Sequence, residues 1–346
     1  MKEPGTDPEV MVDGTMGSGA SRPLRKRIRS KKVMSEKNTF FMMQKSFFPG
    51  CLILLLLGLG ACKKSSPAVS NPLTPLQSLI NTDTSLSLYH RMLLAANETG
   101  LLADNSVTLL IPTNAAFRAA GYSEVIIDSL NPSVADRIIS YHFISQRATP
   151  STNTYTSYPT HLGFSIFGEL DGNHQTWFNG TAVGDTAEVG KALIYKLNSL
   201  LLSPRDSLLY QLSSDSTLSY TTELFSRTRL DTTLIQSQGN YTVLAPVNDA
   251  WRKAGYDSVG MIDSADFNTM LTLAKYHVLT ERLFTNTLVG LTTVVTVQGG
   301  SLTVGVSGGV LQFSGPGNPT PAKLLTGNQP AGNVFVIHKI DELLSP

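Results

Sequence analysis

The sequence predicts an α+β protein made of two tandem domains, and three observations carry that prediction. The stretch TLLIPTNAAFRAAGYSEV (Thr108–Val125) returns 134 residues later as TVLAPVNDAWRKAGYDSV (Thr242–Val259), with ten of eighteen positions identical. Other echoes keep the same order and nearly the same offset: DTSLS at Asp83 with DSTLS at Asp215, YHFI at Tyr141 with YHVL at Tyr276, and IYKLNSLLLSP ending at Pro204 with IHKIDELLSP ending at Pro346. Within each copy, helical spacing comes first and strand alternation later. A period of roughly 130 residues marks paired domains, not a solenoid.

The elements follow in chain order. Leu86, Tyr89, Met92, Leu93 and Ala96 lie on one helical face. Val107–Ile111 is a short apolar run between turn residues and predicts a buried strand, which Pro112 ends. Asn114 then stands where a helix cap belongs, before Ala115, Ala116 and Phe117; Pro246, Asn248 and Trp251 repeat the arrangement. Gly121 and Gly255 are placed to end these helices in a left-handed conformation. DRIISYHF and TLAKYHVL predict helix ends running into short strands. TTVVTVQGGSLTVGVSGGVLQFSG alternates between glycine turns and predicts a hairpin or meander, and NVFVIHKIDELL a last strand.

The N-terminal part is of another kind. Its first 61 residues hold 10 of the 27 Lys+Arg and 5 of the 26 Asp+Glu, so the remainder has 17 basic and 21 acidic residues, a net charge of −4. That mildly acidic body excludes nucleic-acid binding driven by charge. RKRIRSKK (Arg25–Lys32) precedes the apolar run CLILLLLGLG (Cys51–Gly60), a basic flank and short apolar core of secretory type. The apolar run is shorter than the roughly 20 residues of a membrane-spanning helix. Leu59-Gly60-Ala61-Cys62 resembles the lipobox of bacterial lipoproteins, which implies acylation of Cys62 and anchoring in the lipid bilayer. Lys63, by resemblance to lipoprotein sorting in proteobacteria, disfavours retention in the inner membrane. The long basic arm before this signal leads us to expect translation to start at Met34, Met42 or Met43.

Both cysteines, Cys51 and Cys62, fall in this region. Cleavage before Cys62 therefore leaves no disulfide, no cysteine zinc site and no thiol nucleophile. The expected organisation is a basic leader and signal at 1–61, a Ser/Pro-rich tether at 62–75, a first domain at 76–203 and a second at 204–346.

These boxes identify each domain as resembling the fasciclin (FAS1) family. The family's first box reads like TVFAPTNEAF, which TLLIPTNAAF and TVLAPVNDAW match position by position. Its central Tyr-His motif corresponds to Tyr141-His142 and Tyr276-His277, and its closing box to GNVFVIHKID, with His338 in the histidine position. In the first domain that box reads ALIYKLNS, so Tyr195 takes the histidine's place. The resemblance implies a helical layer on a twisted β-sandwich or wedge in each domain. It also implies binding contacts at Tyr141, His142, Tyr276 and His277, because the family's Tyr-His motif is linked to receptor and adhesion contacts. The residue chemistry favours the other reading: tyrosines filling core, and histidines satisfying backbone groups at a helix–strand junction. Pro112, Asn114, Pro246, Asn248 and His338 are read as structural.

Catalytic and metal chemistry find little purchase. The six histidines form no HExxH or His-x-His pattern, and neither GxSxG nor GxxxxGK[ST] occurs. No catalytic residue, metal or cofactor is expected. Tyr155, Tyr158 and Trp177 lie in the atypical, turn-rich middle of the first domain and are candidates for stacking on a glycan or packing on a partner. The whole resembles the tandem-fasciclin lipoproteins of Bacteroidota. The resulting expectation is a non-catalytic, lipid-anchored adhesion or binding protein of the outer membrane, facing the periplasm or the surface. Its partner would be an extracellular protein or glycan; the alternative is an accessory subunit of a polysaccharide-uptake complex, beside an outer-membrane transporter.

Overall fold

The computed structural model describes residues 72–103 and 106–346; the leader, the lipobox with Cys62 and most of the tether lie outside the described residues. The first described helix, Pro75–Thr82, opens on a capping box. The Thr74 hydroxyl accepts from Gln77 N–H, the Gln77 side chain accepts from Thr74 N–H, and Pro75 supplies the fixed φ of a first helical turn.

Each domain is α+β, with a group of short helices and a seven-stranded sheet. In the first, β1 (Thr108–Pro112), β2 (Phe143–Ile144), β3 (Thr156–Pro159), β4 (Ser165–Leu170), β5 (Thr176–Phe178), β6 (Thr181–Val189) and β7 (Ala192–Leu197) run in the order β2-β1-β7-β6-β5-β4-β3. The second has β8 (Tyr241–Pro246), β9 (Val278–Leu279), β10 (Thr293–Val295), β11 (Ser301–Ser307), β12 (Val310–Ser314), β13 (Ala322–Ala331) and β14 (Phe335–Ile340). Their order, β9-β8-β14-β13-β12-β11-β10, is the same one. The first and last strands pair parallel, β1 with β7 and β8 with β14, and every other ladder is antiparallel.

Strand alternation divides each core in two. From β1 and β7, Leu109, Ile111 and Ile194 face the helices, where they meet Tyr89, Met92 and Leu93 of helix Ser87–Ala96 and Ile138 and Ile139 of helix Pro132–Tyr141. The intervening Leu110, Leu193, Tyr195 and Leu197 face the other way and are covered by Tyr158, Ile166 and Phe178 from β3, β4 and β5. The sheet therefore folds over its own far strands. Bulges between Val183 and Asp185, and in β13 between Leu324 and Gln329, supply the bend. The second domain does the same, with Val243, Ala245 and Ile337 toward the helices and Leu244 and Ile340 toward Leu302, Leu311 and Phe313.

Local punctuation follows the sequence in most places. Gly121 and Gly255 have φ of +86° and +90° just past their helices, conformations that favour glycine. The two-residue turn between β11 and β12 is Gly308-Gly309, both at positive φ, which matches the twist of the strands it joins. Phe117 and Trp251 are fully buried. The turn-rich middle of the first domain is largely strand. Its residues form β3 to β6, where the aromatic and β-branched side chains of Tyr158, Ile166, Phe167, Phe178 and Val183 are buried.

The asparagine cap is corrected. Asn114 is the first residue inside helix Asn114–Ala119, and the preceding Thr113 hydroxyl caps it by accepting from Ala116 N–H. Asn114 instead reaches sideways. Its carbonyl oxygen accepts from Leu88 N–H (3.0 Å), and its amide donates to the Thr84 carbonyl (2.9 Å) and the Ser87 hydroxyl (3.0 Å). Asn248 makes the matching bonds to Tyr220 N–H (3.3 Å) and the Ser216 carbonyl (2.9 Å), while its helix starts after Val247 with no side-chain cap. The side chain that looks like a cap joins two helix starts. A single residue separates the roles, too little for a pattern to resolve.

Candidate functional site

Two places carry the residues singled out above: the helix–strand junction of each domain, and the seam between the domains. At the junctions, Tyr141, His142, Tyr276 and His277 are all buried, at 0%, 1%, 1% and 0% exposure, and present no surface in this conformation. His142 closes helix Pro132–Tyr141. Its Nδ1–H donates to the Ile138 carbonyl (2.8 Å) and its Nε2 accepts from Leu201 N–H (3.1 Å). His277 does the same with the Leu273 carbonyl (2.9 Å) and Leu344 N–H (3.0 Å). A carbonyl only accepts and an N–H only donates, so both rings are neutral Nδ1–H tautomers. Each ring staples a helix end to the segment that follows the last strand, and burial holds both histidines down to about 4.

The tyrosines beside them differ. Tyr141 Oη accepts from the Asn179 amide (2.8 Å), and Asn179 in turn accepts from Phe167 N–H (2.9 Å). Tyr276 Oη is buried without a hydrogen-bond partner among the described residues.

The closing boxes also reach one solution with different chemistry. His338 is fully buried; its Nε2–H donates to the Leu283 carbonyl (2.8 Å) and its Nδ1 accepts from Asn328 N–H (3.2 Å). Tyr195, at the matching place in the sheet, donates its hydroxyl to the Ala148 carbonyl (3.0 Å). Ala148 and Leu283 are themselves equivalent, since their N–H groups donate to Thr108 and Thr242, each at 2.8 Å. The tyrosine thus keeps the histidine's bond. Burial also takes His338 down to about 4, whereas Tyr195 is pushed up to about 12 and stays neutral.

The seam holds the first of the three candidate aromatics. Tyr155 meets the edge of Phe284 of the second domain (5.4 Å between centroids), and its hydroxyl bonds Thr287 and accepts from Phe284 N–H. Phe167, Phe284 and Val336 form a small apolar cluster around it. Polar bonds frame the cluster: the Asn286 amide to Glu169 (2.8 Å), Ser165 N–H to the Asn333 side chain (2.9 Å), and the Asn328 amide to the Gly180 carbonyl (3.3 Å). Arg282, 9% exposed, lies over the Phe167 ring at 3.7 Å and donates to the Asn333 carbonyl. Burial brings Arg282 down to about 10, which leaves it protonated at neutral pH.

The other two aromatics are elsewhere. Tyr158 is buried in the first domain's far core, against Phe178. Trp177 is half-buried and donates its indole N–H to Asp171 (2.9 Å).

Sequence reasoning did not single out Arg282, Phe284, Asn286, Asn328 or Asn333. One signal was available. After the Tyr-His pair the first domain reads SQRAT and the second TERLF, so Ala148-Thr149 gives way to Leu283-Phe284. Arg147 remains exposed and pairs with Glu188, whereas the matching Arg282 is buried.

Among the described residues no group of three or more His, Cys, Asp or Glu is placed to hold a metal ion, and no helix is long and apolar enough to cross a membrane.

The family match agrees with this anatomy. Residues 84–203 and 216–346 match the Fasciclin domain model. The chain is 24% identical over 251 residues to transforming growth factor-beta-induced protein ig-h3 of Sus scrofa, covering 70% of this chain and 35% of that protein. It is 32% identical over 114 residues to the same-named protein of Oryctolagus cuniculus, covering 33% of this chain and 16% of that one. The chain thus spans about a third or less of the length of these relatives. A solved FAS1 domain pair from the insect cell adhesion molecule fasciclin I is also similar, at 18% identity and a TM-score of 0.38, covering 76% of this chain and 97% of that one. With its two matched segments joined in tandem and each carrying the boxes described, the chain belongs to the fasciclin family.

Proposed function

We propose that this protein is a non-catalytic adhesion or binding lipoprotein of the Bacteroidota type. Acyl chains on Cys62 hold it to the outer membrane, residues 62–75 give reach, and domains 76–203 and 204–346 face an extracellular polymer or protein. The observation that carries this reading is the pair of fasciclin domains, a domain type typically used for adhesion or binding. A second observation supports the non-catalytic part. His142, His277 and His338 have both ring nitrogens bonded to the backbone, so none is free to move a proton to a substrate. Each buried acyl methylene contributes about 0.8 kcal/mol, so two or three chains give stable attachment.

The test has two arms. Labelled palmitate should enter the protein and fractionate with outer membranes, and Cys62→Ser should abolish both; a labelled or membrane-retained variant sinks the anchor. The wild-type protein should also bind components of a matrix-protein and glycan array. Silence on that array, together with co-purification of a TonB-dependent transporter, would replace adhesion with the role of an uptake-complex subunit.

A further inference from the structure

The seam does more than join the domains. Beside the Tyr155–Phe284 contact it opens into a cleft of about 560 Å³, lined from the first domain by Ser157 and Ser165 and from the second by Asn240, Thr280, Arg282 and Asn333. That volume suits one or two sugar rings and is too small for the surface of a folded partner.

Arg282 gives the cleft its chemistry. Its guanidinium is held from two sides, by the Phe167 ring at one face and by the Asn333 carbonyl at one Nη. No carboxylate among the described residues pairs with it, although its neighbour Glu281 also lines the cleft, exposed. The equivalent Arg147 has its carboxylate, Glu188. A buried cation without a counter-ion is costly, and a guanidinium fixed by stacking meets a carboxylate with little loss of freedom. Tyr155 and Phe167 add two aromatic rings to the lining, and apart from Glu281 the remainder is hydroxyl and amide groups, which suit the face and the hydroxyls of a sugar.

We propose that the interdomain cleft binds the carboxylate of a sugar acid in an extracellular polysaccharide, with Arg282 as the carboxylate receptor and the serine, threonine and asparagine side chains as partners for the ring hydroxyls. The inference rests on the binding role given above and names its ligand class and site. Neither domain alone contains the site.

Calorimetry on the full chain in mild detergent tests this with three probes: an oligomer of glucuronate, a glucose oligomer of equal length, and an oligoglutamate peptide. The glucuronate oligomer should bind at low salt and weaken as salt rises, and the glucose oligomer should bind at least about tenfold more weakly. Arg282→Gln should reduce glucuronate binding about tenfold or more. Because that variant also touches the seam, Asn240→Asp provides the second measurement. Asn240 is exposed, and the added charge should weaken glucuronate binding while the melting temperature holds. Equal binding of glucose and glucuronate, indifference to both substitutions, or no binding of glucuronate would overturn the proposal. Tighter, Arg282-dependent binding of oligoglutamate would assign the cleft to an acidic protein instead. If one of those overturning results appears while the wild-type chain still binds matrix components, the binding role stands and only the cleft assignment falls.

Discussion

Two carbonyls at equivalent places in the two domains are met by different side chains: Ala148 by the hydroxyl of Tyr195, and Leu283 by the imidazole of His338. The backbone need is the same, and either donor satisfies it. What the exchange alters is what else the donor can do. The imidazole accepts a second bond from Asn328 N–H and has a proton equilibrium within reach of mild acid; the phenol has neither. The shared frame, including the His142 and His277 staples and the Asp83–Lys196 and Asp215–Lys339 pairs, constrains what the fold requires. Positions where the copies differ are free to serve the seam, as Phe284 does in place of Thr149, whereas Arg282 is shared with Arg147 and differs only in its burial.

Acid should expose this difference most strongly. Burial holds His142, His277 and His338 at about 4, against an ordinary value of 6.5. Between those values the unfolded chain binds more protons than the folded one, so stability is full above about 6.5 and declines as pH falls toward about 4. Each histidine accounts for on the order of 3 kcal/mol across that window. The first domain has one such group and the second has two, so the second should lose about twice as much. Amide hydrogen exchange read separately on β7 and β14 as pH falls from neutrality would show it. Equal loss in both domains would mean that they unfold as one unit. His338→Tyr should then flatten the decline even though it sacrifices the Asn328 bond.

Where the domains agree, the costs should agree. His142→Ala and His277→Ala each leave a buried N–H without its acceptor, remove one of the donors to a helix-end carbonyl, and open a cavity. A loss of about 2–5 kcal/mol is expected for each, similar in the two domains, by chemical denaturation at neutral pH. If either substitution removed ligand binding with unchanged stability, the Tyr-His pair would be a contact surface reached through another conformation.

The same division explains what could be read from the sequence. Boxes written twice revealed the duplication, the Pro-terminated strands, the glycine stops and the helix–strand junctions, because each is local and governed by backbone geometry. The seam was not legible. Tyr155 looks like a surface aromatic in polar company, and only the fold brings Phe284 and Thr287, more than a hundred residues away, onto its ring and hydroxyl. Arg282 reads as another solvated arginine beside Glu281, and its burial depends on Phe167 of the other domain. Asn114 misled for a different reason. Its side chain serves Leu88 and Thr84 rather than its own helix, a long-range bond that imitates a cap in one dimension.

The smallest difference between the copies gives the finest test of that last point. Thr113 caps its helix by accepting from Ala116 N–H at 3.3 Å, whereas Val247 stands in the same place with no cap bond. Thr113→Ala should therefore cost about 1 kcal/mol. Val247→Thr adds the missing acceptor, but Val247 is partly buried against the second domain's helical core, and the hydroxyl forfeits some of that packing. The gain should be smaller than the loss at Thr113, on the order of 0.5 kcal/mol. Trp177→Phe leaves Trp251, buried in the second domain, as the sole indole, so its fluorescence can follow the Val247→Thr unfolding curve without the first domain's signal. A cost instead of a gain would show that Val247 is held for packing, and that the second helix start relies on Asn248 and its bonds to Tyr220 and Ser216.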